Sequence, residues 1–394
     1  MNEMTIDDTR QMLADSARSY VARTYDTKAR AVSLAHAQGC SPQRWQDFAD
    51  MGWLALPLAE QDGGLGGSLA DICAVAEELG AGLVVEPFLA CAVLGAGLLA
   101  DLGGDVLRQT WLPALAQGAR RIAFAAWEPG NGFDPAAIGT VAHRDGPRFL
   151  VDGEKALVLG GDGADAYLLA ARLQGEDAVG IFLLGADTPG LSITPQALYD
   201  GQHTACLSMH QAVAGDVLLI ASPEEVNARL EHTLHRARVA HGAETVGAMQ
   251  RAFDITLEYL KTRKQFGRVI STNQVVQHRL VDLYVEIEEA RAMTQAAAAE
   301  FDASGAHPTH AHMRHCAAAR VCVAQTARHV WEESVQLHGA IGMTQEYILG
   351  EYVKRLALAG NLYGGVEDHL ERLAAASLDT WPAPISKTNL EHLS

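Results

Sequence analysis

With 394 residues, the chain is longer than single hydrophobic cores usually grow, so two or three domains are expected. A formal net charge of -18 argues against nucleic-acid binding, which depends on Lys and Arg neutralising phosphates, yet leaves room for a local basic pocket for a nucleotide. The cysteines are scattered without CxxC or zinc spacing, which points to a reducing, cytoplasmic setting and excludes a zinc or disulfide framework. Residues 1–30 carry charges throughout and lack an apolar run, so no signal peptide is read there. The most apolar stretch, 81–99, is interrupted by Glu86, Pro87 and glycines and is a poor membrane span.

From Thr5 to about Gly118 the pattern is helical. Met12, Leu13, Ala17, Tyr20 and Val21 form one apolar stripe. Ser41 followed by Pro42 opens the next helix, and Ser68 caps another that runs through Val75 and Glu78. Between them, Asp62-Gly-Gly-Leu-Gly-Gly-Ser68 is a loop, because this many glycines cannot hold a regular element, and it is not a phosphate loop, since it lacks the Lys-Ser/Thr ending. Near Ala119 the texture changes to short β-rich runs at 122–127, 139–141, 148–151, 156–159, 167–171, 179–184 and 217–220. Asp145-Gly-Pro, Asp152-Gly-Glu and Gly160-Gly-Asp-Gly separate them as turn signals, which predicts an antiparallel sandwich or barrel.

After about Ser222 the helical pattern returns. Leu230 to Arg291 reads as two long helices joined by the basic segment Lys261-Thr-Arg-Lys-Gln-Phe-Gly267. Arg263, Lys264 and Arg268 in so acidic a chain point to an anionic ligand. The expected fold class is α+β: an N-terminal helical domain (1–118), a central antiparallel β-sandwich or barrel (119–222), a C-terminal four-helix bundle (223–377) and a tail (378–394) with Pro382 and Pro384.

This order, together with Tyr259-Leu-Lys-Thr-Arg-Lys-Gln-Phe-Gly267, Gln274 to His278, Ala290-Arg291 and Gln336-Leu-His-Gly-Ala-Ile-Gly-Met-Thr-Gln-Glu-Tyr347, resembles the acyl-CoA dehydrogenase family over nearly the whole chain. Val246-Gly-Ala-Met249, Leu157-Val-Leu-Gly-Gly161 and Leu83-Val-Val-Glu-Pro87 resemble more narrowly the small-subunit type of pimeloyl-CoA dehydrogenase. In that family a carboxylate removes the C2 proton of an acyl-CoA thioester, hydride leaves C3 for the flavin N5 of FAD, and hydrogen bonds polarise the thioester oxygen. The resemblance therefore implies FAD as cofactor, acyl-CoA as substrate, electron-transferring flavoprotein as acceptor, and fatty-acid or steroid side-chain β-oxidation as the setting.

Carried over by motif, Arg263, Phe266 and Gln274 contact the adenosine diphosphate half of an FAD held by a neighbouring subunit, and Gln336 and Gly339 cradle the same region. A turn charged only for solubility is the alternative. The flavin side departs from the family. Trp127 and Phe133 stand where the family has Thr before and Ser after Glu-Pro-Gly, and Leu157-Val158-Leu159 stands where it has Trp-Ile-Thr. The catalytic carboxylate is missing from both family positions, which are Gly364 in Tyr363-Gly364-Gly365-Val366 and Ala237, followed by Arg238.

Glu244, about two turns beyond Ala237 on the same helix face and roughly 10 Å along the axis, is the substitute base. Its apolar neighbours are expected to desolvate it and raise its pKa; an ion pair with a neighbouring helix is the alternative. Arg238 and Gly364 are assigned to the substrate region, with carboxylate pairing as the other reading of Arg238. Glu367 and Asp368 are read as caps of the helix that follows. His307, His310, His312, His315 and Cys316 are read as a solvated helix start, with no metal. Small residues at Ala240, Gly242, Ala243 and Gly247 hint at room for a broad acyl group.

These departures imply a hetero-oligomer in which the chain completes the FAD site of a homologous partner subunit that brings the base. The alternatives are a self-sufficient homotetramer with Glu244 as base, and a flavin-free acyl-CoA-binding scaffold.

Overall fold

Helix caps and apolar stripes organise the first part of the computed structural model, which describes residues 6–130, 138–265, 267–305, 309–344 and 346–378. Phe133, Phe266, His307, the side chain of His310 and the tail beyond 378 lie outside the described residues. The chain opens with α1 Ile6–Thr24, α2 Thr27–Ala35, α3 Pro42–Asp50, α4 Leu69–Ala81, α5 Ala96–Leu102 and α6 Asp105–Ala116. Ser41 accepts from the Arg44 N–H at the start of α3, and Ser68 and Asp71 form a reciprocal capping box on α4. Ala17 and Tyr20 of α1 are buried, and the Tyr20 ring meets Phe48 and Trp53 edge-on at 5.8 and 5.6 Å. Met12, at the end of the expected stripe, is exposed. A wholly buried π-helical run, Phe88–Gly95, leads into α5.

The strands are β1 Ile122–Ala125, β2 Val141–Asp145, β3 Arg148–Leu159, β4 Ala166–Leu173, β5 Val179–Gly185, β6 Leu191–Ala197, β7 His203–Ala214 and β8 Asp216–Ala221. They form a sheet in the order β6-β7-β3-β2-β4-β5-β8, with β1 also on β4. Most pairs are antiparallel, but β1 and β2 both run parallel to β4. The turn expected at Asp152-Gly-Glu is instead a bulge inside β3, where Gly153 at φ +143° absorbs a register shift against β7. Two strands, β6 and β7, lie outside the β-rich runs expected from the sequence. The first carries Pro195 on an edge with exposed polar residues, and in the second small and polar side chains outnumber the β-branched ones, so the strand signal is weak in both.

The bundle begins with α7 Pro223–Thr262. A short ribbon, β9 Lys264–Gln265 and β10 Arg268–Val269, turns it into α8 Gln274–Ser304. Then come α9 His310–His338, α10 Leu349–Ala359 and α11 Val366–Leu378. Some of the small residues on α7 serve helix crossing, while Ala243 also lines a cavity of about 810 Å³ between α1, α4, α7 and α8. A Cβ on Gly247 would overlap the Glu77 carbonyl of α4, a Cβ on Gly80 would overlap the Glu244 carbonyl, and Gly242 faces Thr294 and Val323.

One buried knot ties the N-terminal helices, the β layer and the bundle together. Arg355 of α10 donates to Asp200 Oδ2 at 2.6 Å, Glu244 Oε1 at 2.8 Å and the Val84 carbonyl at 3.0 Å. Arg30 of α2 donates to the Asp200 carbonyl and to Glu351 Oε2, each at 2.7 Å. Among the described residues, no helix is long and apolar enough to cross a membrane.

Candidate active site and cofactor surface

The knot opens onto a cavity of about 50 Å³ between α7, the segment Val84–Ala90 and the turn Leu362–Tyr363. At about 10–15 Å³ per water it holds a few waters, well short of the roughly 300 Å³ at which ligand pockets begin. Glu244, His241, Tyr363, Phe88, Leu159 and His203 line it. The Glu244 side chain is 14% exposed and bound by Arg355, so the expected desolvation and the alternative ion pair occur together. Burial raises its pKa, Arg355 opposes this, and Asp200 adds to the rise. His241 takes a hydrogen bond on Nδ1 from Arg320 Nη1 at 3.0 Å. Burial and then that guanidinium hold its pKa well below the ordinary value, which makes it a neutral imidazole. Sequence reasoning missed Arg355, although an Arg among Tyr352, Leu356 and Ala359 on the buried face of an amphipathic helix is a legible sign of a buried partner.

Tyr363 closes the cavity. It sits at φ +62° and its ring meets Trp127 edge-on at 6.2 Å and 76°. The residue beside Gly364, where the base is expected to be missing, thus packs on Trp127, which is expected to face the flavin. Trp127 and Tyr363 are both buried. Gly364 follows at φ +119°, and a Cβ there would lie 3.0 Å from His369 Nε2. The turn is therefore built for glycine in backbone as well as in side chain. Arg238 holds it: Nε donates to the Tyr363 carbonyl at 3.0 Å while Nη1 pairs with Glu231 at 2.7 Å, and the guanidinium is buried. Asp368 accepts from the Gly365 N–H at 2.8 Å at the entry to α11.

The loop bearing Trp127 is anchored by its neighbour. Glu128 Oε1 accepts from Lys155 Nζ at 2.5 Å and from Thr140 Oγ1 at 2.6 Å, and Oε2 from the Gly139 N–H at 2.6 Å. Burial pushes the Glu128 carboxyl up, but Lys155 and these hydrogen bonds hold it below the usual range. Lys155 is fully buried, and that burial lowers its own pKa despite Glu128.

The expectation of a solvated start for α9 is overturned at His312 and Cys316, both buried. His312 packs between Phe301 and His235, with ring centroids 4.8 and 4.9 Å away, because α9 begins against α7 and the end of α8. Among the described residues, no group of three or more His, Cys, Asp or Glu side chains converges to hold a metal ion.

Of the residues assigned to the adenosine diphosphate half, Arg263, Gln274, Gln336 and Gly339 lie at the other end of the bundle, and Phe266 is outside the described residues. Tyr259 near the end of α7 stacks on His338 at the end of α9, with centroids 4.4 Å apart and planes 18° apart. The Ile270 N–H, just before α8, donates to the Arg263 carbonyl at 3.0 Å. Arg263, Gln274, Gln336 and Gly339 are all exposed there. Gly339 has φ +65° and nothing within 4 Å of a Cβ built on it, so the backbone can be approached closely. No described side chain pairs with Arg263, Lys264 or Arg268, which fits a diphosphate. The flavin side does not fit an isoalloxazine: Trp127 and Tyr363 fill their shared space with rings, and Trp127 and Leu159 offer no hydroxyl.

The chain matches the acyl-CoA dehydrogenase N-terminal domain over residues 7–119, the middle domain over 123–211 and the C-terminal domain over 228–378. It is 31% identical over 313 residues to the probable acyl-CoA dehydrogenase fadE25 of Mycobacterium bovis, covering 77% of this chain and 79% of that one. With the acyl-CoA dehydrogenase IpdE2 of Mycobacterium tuberculosis it shares 29% identity over 383 residues, covering 97% and 100%. Among solved structures, the ChsE4-ChsE5 complex from Mycobacterium tuberculosis matches with a TM-score of 0.84 and 25% identity, over 97% of this chain and 100% of that one. The chain therefore belongs to the acyl-CoA dehydrogenase family, FAD-dependent oxidoreductases that act on a CH–CH bond.

Proposed function

We propose that the chain is the non-catalytic member of a hetero-oligomeric acyl-CoA dehydrogenase. Through Arg263, Gln274, Gln336 and Gly339 it completes the adenylate side of an FAD seated in a homologous partner, and the partner brings the carboxylate base. The observation that carries this reading is the Trp127–Tyr363 contact beside Gly364, which fills the chain's own site where a flavin ring and a base would be needed. Similarity to the ChsE4-ChsE5 complex supports a two-chain assembly. FAD, when bound, accepts the hydride from C3 of the acyl thioester and passes electrons to electron-transferring flavoprotein. The role of this chain is to fix the diphosphate by charge and by close backbone approach. This division of labour is the one expected from the resemblance to the small-subunit type of pimeloyl-CoA dehydrogenase, in a reducing cytoplasm that suits six free thiols.

Expression alone and with a homologous subunit bearing Tyr-Glu-Gly tests the proposal by flavin absorbance per chain. The chain alone is expected colourless and the co-assembly yellow, with Arg263→Ser reducing FAD retention about tenfold. A lone chain that binds flavin and dehydrogenates a thioester at full rate refutes it.

A second reading is a homotetramer with Glu244 as base. It is favoured by one observation: Glu244 lines the same cavity as Tyr363 and its pKa is raised. Loss of turnover with flavin retained in Glu244→Gln supports that reading; unchanged turnover in the assembled enzyme removes it.

A further inference from the structure

A second cavity, of about 180 Å³, lies between α7, α9 and α11, apart from the one beside Glu244. At about 15 Å³ per water this is space for roughly a dozen waters, the size of a small organic group. His235, Arg238, Cys316, His369 and Arg372 supply its polar wall, and alanines of α9 and α11 supply an apolar one. Arg238 Nη1 and Arg372 Nη1 both pair with Glu231, at 2.7 and 2.9 Å, so two guanidinium charges face one carboxylate. The nearby carboxylate Asp368 is turned to the Gly365 N–H. His235 turns Nε2 to Glu231 at 3.3 Å, which leaves its Nδ1 an acceptor, while His369 Nε2 is buried without a hydrogen-bond partner on a residue 2% exposed. An unpaired buried polar atom in the wall of a cavity, beside excess positive charge, is a donor set that suits an anionic group.

We propose that this cavity is a binding site for a small oxyanion group, a carboxylate or a phosphate, carried on a short body. The excess guanidinium charge attracts it, Arg372 at the mouth, 35% exposed, receives it, and His369 donates to it in its Nε2–H tautomer. The alanine wall takes the apolar body of an organic acid. The site does not depend on whether this chain turns over. Because Arg238 also donates to the Tyr363 carbonyl, occupancy is felt at the turn that closes the catalytic cavity.

Thermal unfolding and calorimetric titration of the full chain with sodium propionate, inorganic phosphate or coenzyme A, against chloride at equal ionic strength, test the proposal. The expected result is stabilisation and measurable heat with at least one probe. Arg372→Gln should weaken binding about tenfold or more, and Arg144→Gln, on the exposed face of the β layer, should leave it unchanged. Propionate alone identifies a carboxylate site, and phosphate with coenzyme A a phosphate site. No heat with any probe overturns the proposal, as does equal binding by Arg372→Gln. Should that variant fail to fold, the imidazole proton resonances of His369 in the unaltered chain decide: they move on probe addition or the site is not there.

Discussion

Glu244→Gln separates charge from shape in the buried knot. Glutamine keeps an acceptor for Arg355 Nη1, now 2.8 Å away, and removes one of the two carboxylates around that guanidinium. Burial, with Asp200, raises the Glu244 pKa above 4.5 in spite of Arg355. The folded state therefore holds this proton more tightly than the unfolded one. The associated stability is fully present below pH 4.5 and is lost as pH rises through the elevated folded value. Each tenfold difference in proton affinity corresponds to about 1.4 kcal/mol. At about 2.1 cal/mol/K of unfolding entropy per residue over 394 residues, that is about 2 °C in apparent Tm. Glu244→Gln should thus match the unaltered protein near pH 4.5 and melt higher at neutral and mildly alkaline pH, by about 2 °C for each tenfold by which folding tightens the proton. Differential scanning fluorimetry across that range measures it. A variant that melts several degrees lower at neutral pH would show the ion pair outweighing its desolvation cost and refute the reasoning.

Gly364→Glu should not restore a base. It forces a side chain onto φ +119° against His369, at a cost of about 1–3 kcal/mol in melting experiments, and turnover in the lone variant would overturn this. Gly247→Ala drives a methyl into the Glu77 carbonyl and should separate α4 from α7, costing roughly 3 kcal/mol or more by urea unfolding. Lys155→Met strands the Glu128 carboxylate and should cost about 3–5 kcal/mol at neutral pH. Because Lys155 helps hold Glu128 below 4.5, the native protein loses that contribution as pH falls through the folded value; the variant should show no such loss in acid titration of its stability. Trp127→Thr removes the ring against Tyr363, should destabilise by about 3–5 kcal/mol, and should let the lone chain quench added FAD saturably where the native chain does not.

The order of helical, β and helical segments, the caps at Ser41 and Ser68, the basic turn around Arg263 and the vacancy at Gly364 are legible along the chain. Each is a matter of neighbours within one helical turn or one motif, and cap chemistry, apolar periodicity and local charge act over that range. The tertiary structure decided what those residues meet. Gly247 reads in isolation as spare room, yet it meets the Glu77 carbonyl where α4 crosses α7. Glu244 becomes a member of an ion-paired knot only because α10 carries Arg355 past it and the β6–β7 turn delivers Asp200. Likewise Trp127 and Tyr363, far apart in sequence, touch because β1 ends where α11 is about to begin. Sheet register and helix crossing set such contacts; they depend on the summed packing of distant segments, which no local pattern of residues encodes.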